Sequence, residues 1–93
     1  MKSAPVSRVI EIVNERGLHA RASAKFVKAV AQFDAEVKVS RDGQTVDAQS
    51  IMGLMMLAAG IGSTIEIVAE GPEAEAALEA LCQLVAERFH EDR

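Results

Sequence analysis

The stretch AEVKVSRDGQTVDA, residues 35–48, alternates apolar and polar side chains on both sides of Asp42-Gly43. Alternation is the period of a half-buried strand, and Asp-Gly readily supplies the positive φ angles of a tight hairpin turn. Two short antiparallel strands are therefore predicted at about 35–40 and 44–49. Their single apolar face needs a cover, so the question becomes what the rest of the chain places against it.

Residues 6–13, VSRVIEIV, are rich in β-branched side chains over one strand's length and end at the turn-like Asn14-Glu15-Arg16-Gly17. Residues 63–69, STIEIVA, alternate again, with Ile65, Ile67 and Ala69 on one face and Thr64, Glu66 and Val68 on the other. Between these strands the period changes. From His19 to about Gln32 the residues Ala22, Phe26, Ala29, Val30 and Phe33 recur every three or four positions, which is one stripe of a helix that breaks near Phe33-Asp34. SIMGLMMLAAGIG opens with Ser50, a good N-cap, runs apolar for two turns and stops in a glycine-containing loop. Gly71-Pro72 introduces a third helix, with Glu73 and Glu75 near the positive end of its dipole and a stripe of Ala74, Leu78, Leu81, Cys82, Val85 and Phe89.

The order β-α-β-β-α-β-α, with one apolar face per strand and one stripe per helix, is most simply buried as an α+β open-faced two-layer sandwich. We expect a four-stranded antiparallel sheet with three helices on one face. The 93 residues, about half of them hydrophobic, suffice for one modest core, so the expectation is a single domain over residues 1–93 without linker or repeat.

Composition removes several function classes. A formal charge of −4 and three aromatic residues, all Phe, argue against nucleic acid as a partner. No apolar run reaches the roughly 18 to 20 residues that span a bilayer, and MKSAPVSRV lacks the hydrophobic segment of a signal peptide. A cytoplasmic protein without membrane insertion is expected. Cys82 is the single cysteine, and the two histidines, His19 and His90, show no clustered metal-ligand spacing, so neither a disulfide nor a metal is expected to hold the fold.

The chemistry concentrates in GLHARASAKF, residues 17–26. With a helix starting at His19 or Ala20, the first backbone N–H groups have no intrahelical partner and make an anion site beside the imidazole. The helix dipole disfavours imidazolium there and keeps the ring nucleophilic, while Arg21 can offer paired donors to phosphate oxygens. No acid stands nearby in sequence to act as a general base, so the site suits accepting and releasing a group rather than hydrolysing one. Periodicity alone leaves two readings open, a surface cap residue or a phosphoryl acceptor.

GLHARASAKFV, with an upstream strand ending at Asn14 and a downstream SIMGLMML, resembles HPr, the histidine-containing phosphocarrier family of the phosphoenolpyruvate-dependent phosphotransferase system. The resemblance covers nearly the whole chain in element order. It implies that His19 accepts a phosphoryl group on Nδ1 from phosphorylated Enzyme I and passes it to an Enzyme IIA, that Arg21 helps bind the group, and that no cofactor takes part. The chain would then be a carrier forming a phosphohistidine and not an enzyme in the turnover sense. One departure lies at the site: the family commonly has Pro directly after the arginine, and this chain has Ala22. Ala keeps the helix but leaves one more N–H free and the entrance less rigid.

Ser50 has a structural reading as the N-cap of the short helix and, by the resemblance, a regulatory one as the serine phosphorylated by an ATP-dependent HPr kinase/phosphorylase. Phosphate there would add nearly two negative charges at a helix N-terminus. Ile51, Met52, Leu54, Met55, Met56 and Leu57 are too many apolar residues for one stripe on two turns. Leu54 and Leu57 are assigned to the core; Met52, Met55 and Met56, with Ile51 and with Ala20 of helix one, are assigned to an adaptable patch on which Enzyme I and Enzyme IIA dock. Cys82 is read as core, His90 as solvated, and Lys25 and Lys28 as a solvated face. A monomer is expected. Ala22 and the methionine-rich SIMGLMM lean toward the regulatory, nitrogen-related branch over sugar transport. A small α+β ligand-binding regulatory domain is the alternative from another class.

Overall fold

The computed structural model describes residues 4–93. The chain runs β1 (Val6–Glu11), α1 (Ala20–Val30), β2 (Glu36–Arg41), β3 (Gln44–Asp47), α2 (Ile51–Met56), β4 (Thr64–Glu70) and α3 (Ala74–Ala86), followed by a tight turn over Arg88–His90. All four strands form one antiparallel sheet in the order β1-β4-β2-β3. The expected α+β sandwich is the observed fold.

Strand pairing places the alternation where the sequence implies. Ile10 lies opposite Ile65 and Val39 opposite Ile67, so the apolar faces of three strands coincide. Onto that face α1 brings Ala22, Phe26 and Val30, α2 brings Leu54, and α3 brings Ala77, Leu78, Leu81, Cys82 and Val85, all buried. Each large side chain sealed in this layer contributes roughly 1.5–3 kcal/mol before conformational entropy is subtracted. The opposite face carries Glu66 between Val9 and Ser40 and Val68 beside Lys38, and it stays open to solvent, with Val9 64% exposed.

The hairpin turns on Asp42 (φ +49°) and Gly43 (φ +82°), as the dipeptide predicts. Boundaries shift by a few residues: β1 stops at Glu11 rather than residue 13, and α1 occupies Ala20–Val30 rather than reaching Gln32. The main difference is at the end of α3. Phe89, the last residue of the predicted stripe, is fully buried, yet the helix ends at Ala86 and Arg88, Phe89 and His90 take φ of +58°, +55° and +62°. Left-handed backbone costs a non-glycine residue roughly 1–2 kcal/mol. Tertiary bonds offset it: Lys25 Nζ donates to the Phe89 carbonyl at 2.6 Å, and the Glu15 N–H donates to the Arg93 carbonyl at 3.0 Å. Lys25 is thus a structural tie rather than part of a solvated face, while Lys28 is exposed as expected.

Candidate functional site

The loop entering α1 is built before the helix begins. Asn14 is fully buried and its Nδ2 donates to the Gly17 carbonyl at 2.9 Å, while the Gly17 N–H donates back to the Asn14 carbonyl at 3.1 Å. Gly17 sits at φ +64°, and a Cβ there would stand 2.4 Å from the Ala59 carbonyl oxygen, so no other residue fits without moving backbone. Leu18 buries its side chain and donates its N–H to the same Ala59 carbonyl at 2.9 Å. These contacts deliver residue 19 to a fixed point.

His19 is the N-cap of α1, with extended backbone (φ −74°, ψ −179°) and with its carbonyl accepting the helix's first bond from the Ser23 N–H at 2.9 Å. The Ser23 hydroxyl donates to the Leu18 carbonyl and fastens the first turn from inside. Imidazole Nδ1 faces the helix mouth and accepts a long bond, 3.3 Å, from the Arg21 N–H. Arg21 is exposed and lines, with Arg16, Lys25, Asp92 and Arg93, a cleft of about 450 Å³ at this end of the molecule.

The other ring nitrogen has a partner that the sequence reading missed. Nε2 lies 2.5 Å from Glu91 Oε2, and Oε1 of the same carboxylate accepts from Asn14 Nδ2 at 3.0 Å. No acid stands near His19 in sequence, and the one that meets it in space arrives from 72 residues away, carried by the left-handed turn after α3. Burial pushes the Glu91 carboxyl up, but the hydrogen bonds from Asn14 and His19 and the charges of His19 and Lys25 outweigh it and hold the group below the usual carboxylate range. An ionised carboxylate only accepts, so the proton of this contact sits on Nε2, while the Arg21 N–H directed at Nδ1 is met there by a lone pair.

The remaining candidates lie on or beside α2, which packs against α1. Ser50 caps α2, its Oγ accepting from the Gly53 N–H at 2.9 Å. Met52 and Met56 are 70% and 66% exposed, Ile51, Met55 and Ala20 are also exposed, and Leu54 and Leu57 are buried as assigned. Ala22 is fully buried, so its methyl is a core contact in the first turn of α1. His90 is exposed and pairs with Glu87 at 2.9 Å. Among the described residues no cluster of His, Cys, Asp and Glu could hold a metal ion, and no helix is long and apolar enough to cross a membrane.

The family model for the PTS HPr component phosphorylation site matches residues 6–87. The chain belongs to the HPr family. It is 52% identical to the phosphocarrier protein HPr of Cupriavidus necator over 92% of this chain and 97% of that one. It is also 41% identical to the phosphocarrier protein NPr of Shewanella violacea, over 92% and 94%. The crystal structure of HPr-C-His from Thermoanaerobacter tengcongensis superposes with a TM-score of 0.90 at 39% identity, covering 95% of this chain and 99% of that one. HPr-family membership thus joins a helix mouth capped by a histidine to relatives named for carrying phosphate.

Glu91 lies beyond the matched residues and left no periodic signal. The pointer available in the sequence was Phe89, an apolar residue just before it whose burial brings the tail back to the core.

Proposed function

We propose that this chain is a phosphocarrier of the phosphoenolpyruvate-dependent phosphotransferase system, taking a phosphoryl group from phospho-Enzyme I on His19 and handing it to an Enzyme IIA. The observation that carries this reading is the divided imidazole: Nε2 is held by Glu91 while Nδ1 points its lone pair at the open N-terminus of α1. In-line attack by Nδ1 forms an N–P bond as the donor's bond to phosphorus breaks, and the phosphoryl oxygens arrive where the Arg21 N–H, released from Nδ1, and the Arg21 guanidinium can receive them. The helix dipole then stabilises the added negative charge electrostatically. No second nucleophile is required, which suits a carrier rather than a hydrolase.

In this reading residues 1–93 act as one monomeric cytoplasmic domain. The Ile51, Met52, Met55 and Met56 patch, together with Ala20, offers Enzyme I and Enzyme IIA a soft apolar surface whose side chains repack on different partners. Ser50 takes a regulatory phosphate from an HPr kinase/phosphorylase, and at an N-cap the added charge changes the surface beside that patch. The acceptor lies in either the sugar-transport or the nitrogen-related branch.

Incubation with phosphoenolpyruvate and Enzyme I, read by intact mass, tests the proposal. The expected result is one acid-labile phosphate, absent from His19→Ala; an unlabelled wild type overturns the carrier reading. A parallel arm with ATP and the kinase should give an acid-stable phosphate that Ser50→Ala lacks, and equal labelling of both would sink the regulatory role.

A further inference from the structure

The geometry points to Glu91 as a positioning residue for phosphoryl transfer, acting through the Nε2–H of His19 and itself held by Asn14. This rests on the carrier reading of His19 and adds to it a residue outside the helix-mouth motif. Three observations support it. The carboxylate spans both partners at once, one oxygen on His19 and the other on Asn14. Asn14 is fully buried and anchored at its own backbone, so the arm does not swing freely. The turn that delivers Glu91 holds three consecutive non-glycine residues in left-handed conformation, which persists only where surrounding contacts over-determine it.

Consider what transfer does to the ring. When Nδ1 takes the phosphoryl group its lone pair becomes the N–P bond, Nε2 keeps its proton, and the imidazole acquires positive character as the donor recovers its own electron pair. A carboxylate at Nε2 favours that charged ring in loading and in the loaded state alike, as a triad carboxylate does for its imidazolium. A protonated ring is also the better leaving group, so the same contact keeps the phosphoryl group transferable. Other charges face Glu91 as well: Arg21 and Lys25 from α1, Glu15 and Arg16 from the entry loop, and His90, Asp92 and Arg93 from its own segment. Their signs oppose one another, while Glu91 is the acid in direct contact with the ring.

The test uses full-length wild type, Glu91→Gln and Glu91→Ala, phosphorylated on histidine chemically with phosphoramidate so that Enzyme I is not needed. The pH midpoint at which the phosphohistidine loses its Nε2 proton, followed by phosphorus and nitrogen NMR, should fall by about one unit in both variants. Enzyme I-dependent loading should slow about tenfold in Glu91→Ala and less in Glu91→Gln, which retains an acceptor for Nε2–H. A merely structural role would lower the unfolding temperature and leave the midpoint in place, and an unchanged midpoint in both variants overturns the proposal. Failure of wild type to load from Enzyme I would instead overturn the carrier reading, leaving the NMR result to stand by itself.

Discussion

Ser50 and His19 each stand at the N-cap of a helix and each accept a hydrogen bond from a backbone N–H, at 2.9 Å for Ser50 and 3.3 Å for His19. The serine oxygen is committed to its helix, and α2, six residues long, depends on it. The histidine nitrogen is only loosely engaged, because its ring is anchored from the far side by Glu91. On the proposed function, a side chain that both starts a helix and reacts needs a second anchor, so that holding the ring does not consume the lone pair at Nδ1.

The largest test of that contrast lies upstream of both caps. Gly17→Ala drives a methyl into the Ala59 carbonyl at a positive φ, and should cost about 3 kcal/mol in urea unfolding while shifting His19 off the helix mouth. Next, Ser50→Ala should cost about 1 kcal/mol, the usual loss for a well-made cap. In a Glu91→Ala background, where the second anchor is already gone, His19→Ala should cost about half as much because its cap bond is long, and on the proposed function it should abolish phosphoryl acceptance. An equal or greater loss of stability at His19 would break the distinction.

The smallest effect is with pH. Glu91 has its folded pKa below its unfolded value, so its ionisation favours the folded state above about pH 4.5, and that contribution disappears as pH falls through the folded value. Glu91→Gln should therefore lose less stability than wild type between about pH 5 and pH 3, measured by urea midpoints at each pH. A steeper acid loss in the variant would place the charge elsewhere.

What could be read from the chain divides along the same line as the two caps. The caps at Ser50 and His19 were legible because a cap is local chemistry, set by residues within one turn of it. The Asp42-Gly43 hairpin and the stripes of α1 and α3 were legible for the same reason. Glu91 was not. Its contact joins positions 19 and 91 across a backbone conformation that Arg88, Phe89 and His90 have no intrinsic reason to adopt. The captured Phe89 carbonyl, the Glu15–Arg93 backbone bond and the buried Asn14 explain it, and all three are tertiary. The tie made by Lys25 is hidden in the sequence on the same ground, since its partner lies 64 positions away.

The strand order carries a consequence for how such a molecule comes into being. β1 pairs with β4 alone, Glu11 opposite Thr64, and β4 is also the neighbour of β2. During synthesis the first strand and the histidine that follows it wait without a partner until the fourth strand has left the ribosome, and Glu91 comes later still. A truncated product would carry the whole GLHARASAKF motif and still lack the carboxylate at Nε2. The turn after α3 then completes the ring's surroundings only after everything upstream of it has been made.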